Sequence, residues 1–110
     1  MESKLEVQDT LCIVHLKGRF HTGSNADYLH TLAELDRIGT RTVVLDCSGL
    51  EWLDSTGLAF VVGLRSTLVA SEGRFALVNT NPRIGEILQI TRLETILPVF
   101  ESVHEAAAAL

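Results

Sequence analysis

The 110-residue sequence predicts an α/β fold, a mixed and mostly parallel β-sheet that opens with a hairpin and has about four helices packed on one side of it. Three observations lead there. Residues 4–8 and 11–17 read as short strands separated only by Asp9-Thr10, which supplies a turn. Residues 42–47 (TVVLDC) form a β-branched run of the kind a buried strand needs, and a segment of helical periodicity follows it. The strand-then-helix pattern then repeats to the end of the chain, and parallel strands require such crossovers.

Taken in order, the hairpin runs into residues 18–23, read as a loop leading to a helix that opens at Ser24. Ser24 and Asp27 have the spacing of a capping box. Leu29, Leu32 and Ala33 give that helix its expected buried side, and Gly39 is placed to end it. After the central strand, residues 48–52 read as a connector into Leu53-Asp54-Ser55-Thr56-Gly57-Leu58. Leu58, Val61, Val62, Leu68 and Val69 then recur at three- and four-residue steps on one helical face. Residues 73–79 are a further strand, and Asn81-Pro82 begins a third helix with Ile84, Ile87 and Leu88 inward. Residues 95–99 (TILPV) read as an edge strand because Pro98 cannot donate to a ladder. Ser102 and Glu105 repeat the capping-box spacing before a closing alanine-rich helix.

Composition narrows the function. Residues 1–110 are of a size for one domain, and hydrophobic and charged fractions of 46% and 21% are ordinary for a globular chain. No apolar run approaches a membrane span and the N-terminal residues lack the continuous apolar stretch of a signal peptide, so a cytoplasmic protein is expected. A net charge of −5 with nine scattered Lys and Arg argues against nucleic acid as a partner. Without a coiled-coil repeat, the free chain is expected to be a monomer. Cys12 and Cys47 fall within strands, lack any CxxC or Cys/His spacing, and read as small buried hydrophobes. His15, His21, His30 and His104 are too dispersed to suggest a metal site, and no cofactor motif is present.

The Asp54-Ser55-Thr56-Gly57 run places two hydroxyls at a helix N-terminus, where unpaired N–H groups and the helix dipole favour an anion. Two readings follow. Asp54 or Ser55 can be an N-cap, or Ser55, with Thr56 the second choice, can be a phosphoacceptor whose modification changes the surface while sparing the fold. The run lacks the Gly-x-Ser-x-Gly elbow of hydrolases, no Gly-rich phosphate loop with its Lys follows a strand, and the second carboxylate motif of an aspartic protease is missing. Catalysis is therefore not expected.

The stretch VVLDCSGLEWLDSTGLAFVVGLRS resembles the bacterial anti-anti-sigma factors, the stand-alone STAS domains, and the resemblance extends over nearly the whole chain. It implies a STAS-like fold and a phosphorylatable serine at Ser55. It also implies partners: an anti-sigma factor that is a serine kinase of the histidine-kinase-like ATPase type, and an opposing PP2C-like serine phosphatase. The unphosphorylated form would bind the kinase and free its target, and phosphate on Ser55 would end that binding. Asp54, Ser55, Thr56, Gly57, Trp52, Leu53, Leu58 and His21 are the expected contact residues; for Trp52, half-buried packing is the competing role. Where the family usually carries Asp, this chain has His21, which either contacts an anion on Ser55 in a pH-sensitive way or is a solvated loop residue. Two alternatives remain: a docking subunit without a switch, in which Ser55 is only a cap, and a nucleotide-sensing module using the same corner.

Overall fold

The computed structural model describes residues 1–110, with every side chain except those of Thr22 and Asn25. Five strands form one sheet in the order β1-β2-β3-β4-β5: β1 (Glu2–Gln8), β2 (Leu11–Phe20), β3 (Thr42–Leu53), β4 (Arg74–Val78) and β5 (Val99–Phe100). The first pair is antiparallel, with Gln8 opposite Leu11 closing the turn, where Asp9 takes a φ of 51°. Asp tolerates that left-handed backbone better than most residues. All later pairs are parallel.

Because each parallel strand is added on the same side of the last, right-handed crossovers place every connecting helix on one face. Those helices are α1 (Asn25–Ile38), α2 (Ser55–Ala70) and α3 (Pro82–Ile90). Leu35, Val61, Leu64, Leu68, Ile84 and Leu88 bury against Cys12, Val14, Leu16, Val43, Leu45 and Cys47 of the sheet. The final helix, α4 (Val103–Ala109), corrects the expectation that all helices share one side. No crossover constrains it, and Ala106 lies against Val44, Ala76 and Val78 on the opposite face. β3 is accordingly covered on both faces over residues 43–47, all of them buried.

Several sequence expectations need correction. Residues 48–52 are strand rather than connector, and residues 18–20 belong to β2 rather than to a loop, since Gly18 pairs with Leu50, Arg19 with Trp52 and Phe20 with Leu53. Gly49 permits this close pairing, because a Cβ there would stand 2.8 Å from the Leu16 carbonyl oxygen. Ser24 is buried but makes no side-chain cap. It ends a 3-10 turn, and its hydroxyl donates to the Arg19 carbonyl (3.0 Å) and accepts from the His21 N–H (3.3 Å). In α1 the inward residues are Tyr28, Thr31, Leu32 and Leu35, whereas Leu29 is 55% exposed and Ala33 is exposed. Val69 of α2 is 50% exposed and Leu64, unassigned from sequence, takes an inward place. Residues 93–95 form a 3-10 turn and β5 starts only after Pro98, whose carbonyl accepts from the Leu77 N–H at 2.8 Å. The other helix boundaries stand: Gly39 (φ 75°) closes α1, Pro82 opens α3, and the Ser102 hydroxyl accepts from the Glu105 N–H.

Candidate functional site

At the carboxyl end of the central strand, Leu53 is buried and Asp54 turns the chain into α2. Asp54 has extended backbone, its Oδ1 accepts from the Gly57 N–H at 2.8 Å, and its carbonyl accepts from the Leu58 N–H at 2.9 Å. It is the N-cap. Its own N–H donates to the Phe20 carbonyl at 3.2 Å, tying the helix start to the end of β2. Gly57 completes the joint, since a Cβ on it would lie 2.5 Å from the Phe20 oxygen. Ser55 is thus the first helical residue, exposed, with its alcohol not consumed in capping. Thr56 and Leu58 are half-buried.

The outer side of α2 continues from Ser55 through Leu58, Ala59, Val62, Ser66 and Val69, residues that share one helical stripe. Four of these six are apolar, and all retain solvent contact. Trp52 is half-buried beside a surface groove that Arg19, Glu51 and Arg83 also line. His21 is half-buried and bonded to its own turn: Nδ1 accepts from the Gly23 N–H at 2.9 Å, which places the ring proton on Nε2. The geometry therefore gathers residues 52–58 at one corner and gives His21 a local hydrogen-bond partner.

A second polar cluster lies on the α4 side of the sheet. His15 Nδ1 is 2.6 Å from Asp46 Oδ2 and Nε2 is 2.9 Å from Glu6 Oε1. Asp46 Oδ1 accepts from the Ser48 N–H and the Asn79 amide, each at 3.0 Å. Carboxylates can only accept, so both contacts are hydrogen bonds when the two ring nitrogens carry protons, and the arrangement favours the imidazolium form of His15. Its hydrogen bonds to Glu6 and then Asp46 raise its pKa above the ordinary histidine value. His15 in turn lowers that of Glu6. Burial alone would raise the Asp46 pKa, but hydrogen bonds from Asn79, His15 and the Ser48 N–H outweigh it and hold the carboxyl below its usual value. Sequence reasoning missed this network, although one polar residue inside each of two apolar runs, His15 and Asp46, was the available signal.

Among the described residues no group of three or more His, Cys, Asp or Glu side chains is placed to hold a metal ion. Cys12 and Cys47 are buried free thiols, and burial pushes the Cys47 pKa up to about 12, so it is not a nucleophile. Among the described residues no helix is long and apolar enough to cross a membrane.

Residues 2–106 match the STAS domain. The chain belongs to the STAS family. BtrV of Bordetella bronchiseptica, a protein assigned as an anti-sigma factor antagonist, is 32% identical over 111 residues, covering 99% of this chain and 94% of its own. The crystal structure of TM1081 from Thermotoga maritima superposes with a TM-score of 0.91 at 22% identity, covering 97% of this chain and 92% of the other. SpoIIAA of Bacillus in its phosphorylated form gives a TM-score of 0.73 at 22% identity, covering 98% and 97%. At these identities the two structures establish a shared STAS fold.

Proposed function

We propose that this STAS protein is an anti-sigma factor antagonist switched by phosphate at Ser55. It acts in the cytoplasm by binding, without catalysis of its own. The observation that carries the reading is an exposed alcohol, left over from capping, at the head of a helix whose outer stripe is apolar. Such a face offers area for burial against an anti-sigma factor, and the acceptor sits at its rim. The name of BtrV supports the partner class, and the phosphorylated form of SpoIIAA shows that a protein of this fold carries phosphate.

Phosphate on Ser55 adds roughly −1.5 to −2 charges beside Asp54, whose carboxylate already occupies the Gly57 N–H. The dianion therefore faces solvent, and any partner covering it must desolvate it. Unphosphorylated protein would hold the anti-sigma factor, a serine kinase of the histidine-kinase-like ATPase type, and free its target. Phosphorylation would release the complex, and a PP2C-like phosphatase would reset it. Trp52, Leu53, Asp54, Thr56, Gly57, Leu58 and His21 form or support the contact surface around Ser55.

Incubation with the cognate kinase and ATP tests the assignment by intact mass. One phosphate on the parent protein and none on Ser55→Ala is the expected result. A phosphate retained by Ser55→Ala moves the acceptor to Thr56. Absence of phosphate in protein from its native cell under all growth states leaves a docking subunit without a switch.

A further inference from the structure

We infer that the groove between Arg19, Glu51, Trp52 and Arg83 receives an acidic segment of the protein partner, as an anchor separate from the α2 stripe. The groove is assembled from three elements. Arg19 and Trp52 are register partners on β2 and β3, so their backbones are fixed side by side. Arg83 comes from the first turn of α3, whose start is held in place by Asn81: its Oδ1 accepts from the Ile84 N–H at 2.8 Å, and its amide donates to the Leu50 carbonyl on β3 at 2.9 Å. The backbone positions from which the two Arg side chains extend are therefore fixed by the fold.

Charge identifies the occupant. The chain has a net charge of −5, yet this groove holds two cations and one carboxylate. Neither Arg is ion-paired among the described residues, whose side-chain pairs are Arg37 with Glu34 and His15 with Glu6 and Asp46. Arg presents a planar fork that takes a carboxylate through two hydrogen bonds, and Arg and Trp are the residue types enriched where interfaces carry their energy. An indole with guanidiniums about it suits a peptide with acidic side chains, since the ring supplies apolar floor and the Arg pair supplies the charge. A nucleic acid strand suits it poorly, because the nine scattered Lys and Arg offer no basic track along which a phosphate backbone could run beyond the two that line the groove.

The inference rests on the reading of the chain as a protein-binding module, but its test needs no kinase. Trp52 is the only tryptophan, so its fluorescence reports on the groove directly. The protein is titrated with an end-capped hexaglutamate peptide at low salt, and separately with inorganic phosphate. A saturable fluorescence change with the peptide is expected. It should weaken on the order of tenfold in Arg19→Ala/Arg83→Ala and weaken with added salt. Both Arg side chains are exposed, so the double variant should keep the parent circular dichroism spectrum. The inference is overturned by an absence of saturation, by equal peptide affinity in the double variant, or by phosphate saturating as tightly as the peptide. Peptide binding by a protein that no kinase phosphorylates would sink the switch and leave the groove, and the converse result would do the reverse.

Discussion

Replacing Gly57 by Ala probes the joint that presents Ser55. The added Cβ would stand 2.5 Å from the Phe20 oxygen, 3.1 Å from the Phe20 carbonyl carbon and 3.2 Å from Leu53 Cβ. Two of these atoms are backbone, which cannot swing aside, so the first turn of α2 must lift. Lifting strains the Asp54 N–H to Phe20 carbonyl bond and the Asp54 cap on the Gly57 N–H. Overpacking costs about 1–3 kcal/mol, and loss of the cap adds about 1 kcal/mol. Against this, Ala gains about 1 kcal/mol over Gly in helix propensity. The net expectation is a loss of about 1–3 kcal/mol. Gly85 supplies the control, because it lies within α3 and a Cβ there meets nothing within 4 Å. Gly85→Ala should therefore gain about 0.5–1 kcal/mol. Urea unfolding followed by circular dichroism reads both as shifts of midpoint at constant slope. A Gly57→Ala protein as stable as its parent would refute the reasoning.

Two further predictions concern the network around His15 and the buried thiols. His15 has a raised pKa, so its contribution to stability is complete below about pH 6.5 and is lost as pH climbs through the folded value. Glu6 and Asp46 have lowered values, so theirs is present above about pH 4 and is lost as pH falls through the folded values. Urea midpoints should decline on both sides of mildly acidic pH, and His15→Gln should remove most of the alkaline decline; an unchanged alkaline slope in that variant contradicts the network. For the cysteines, a thiol reagent should label neither Cys12 nor Cys47 in the native protein and both in denaturant, whereas rapid native labelling would mean that the central strands open readily.

The parts of this fold legible in sequence are those decided by local chemistry. Pro82 can only open a helix, Gly39 can adopt the left-handed φ that closes one, and residues 42–47 are apolar enough to be strand in most settings. What escaped was decided by distant partners. Residues 48–52 interrupt the apolar run with Ser48, Gly49 and Glu51, yet β2 pairs with them past Gly49 and extends the strand to Leu53. Tyr28 displaces Leu29 from the core because its ring stacks on Phe60 at 4.4 Å and its hydroxyl donates to the Phe60 carbonyl at 3.0 Å. Ser24 looked like a cap until a 3-10 turn took its backbone out of cap geometry.

The candidate site divides in the same way. Its sequence position was plain, but the choice between Asp54 and Ser55 as the cap required the Gly57 N–H to be placed against a particular oxygen. Arg19 and Arg83 lie far apart in the chain, and only the adjacency of β2, β3 and the start of α3 brings them to one groove. His15 and Asp46 meet because parallel pairing sets them in register.

Isothermal titration of the anti-sigma partner into the protein, with and without phosphate on Ser55, reaches the central claim most directly. The unphosphorylated protein should bind at least about tenfold more tightly, because the dianion must be desolvated where the apolar stripe begins. Equal affinity of the two forms would contradict it.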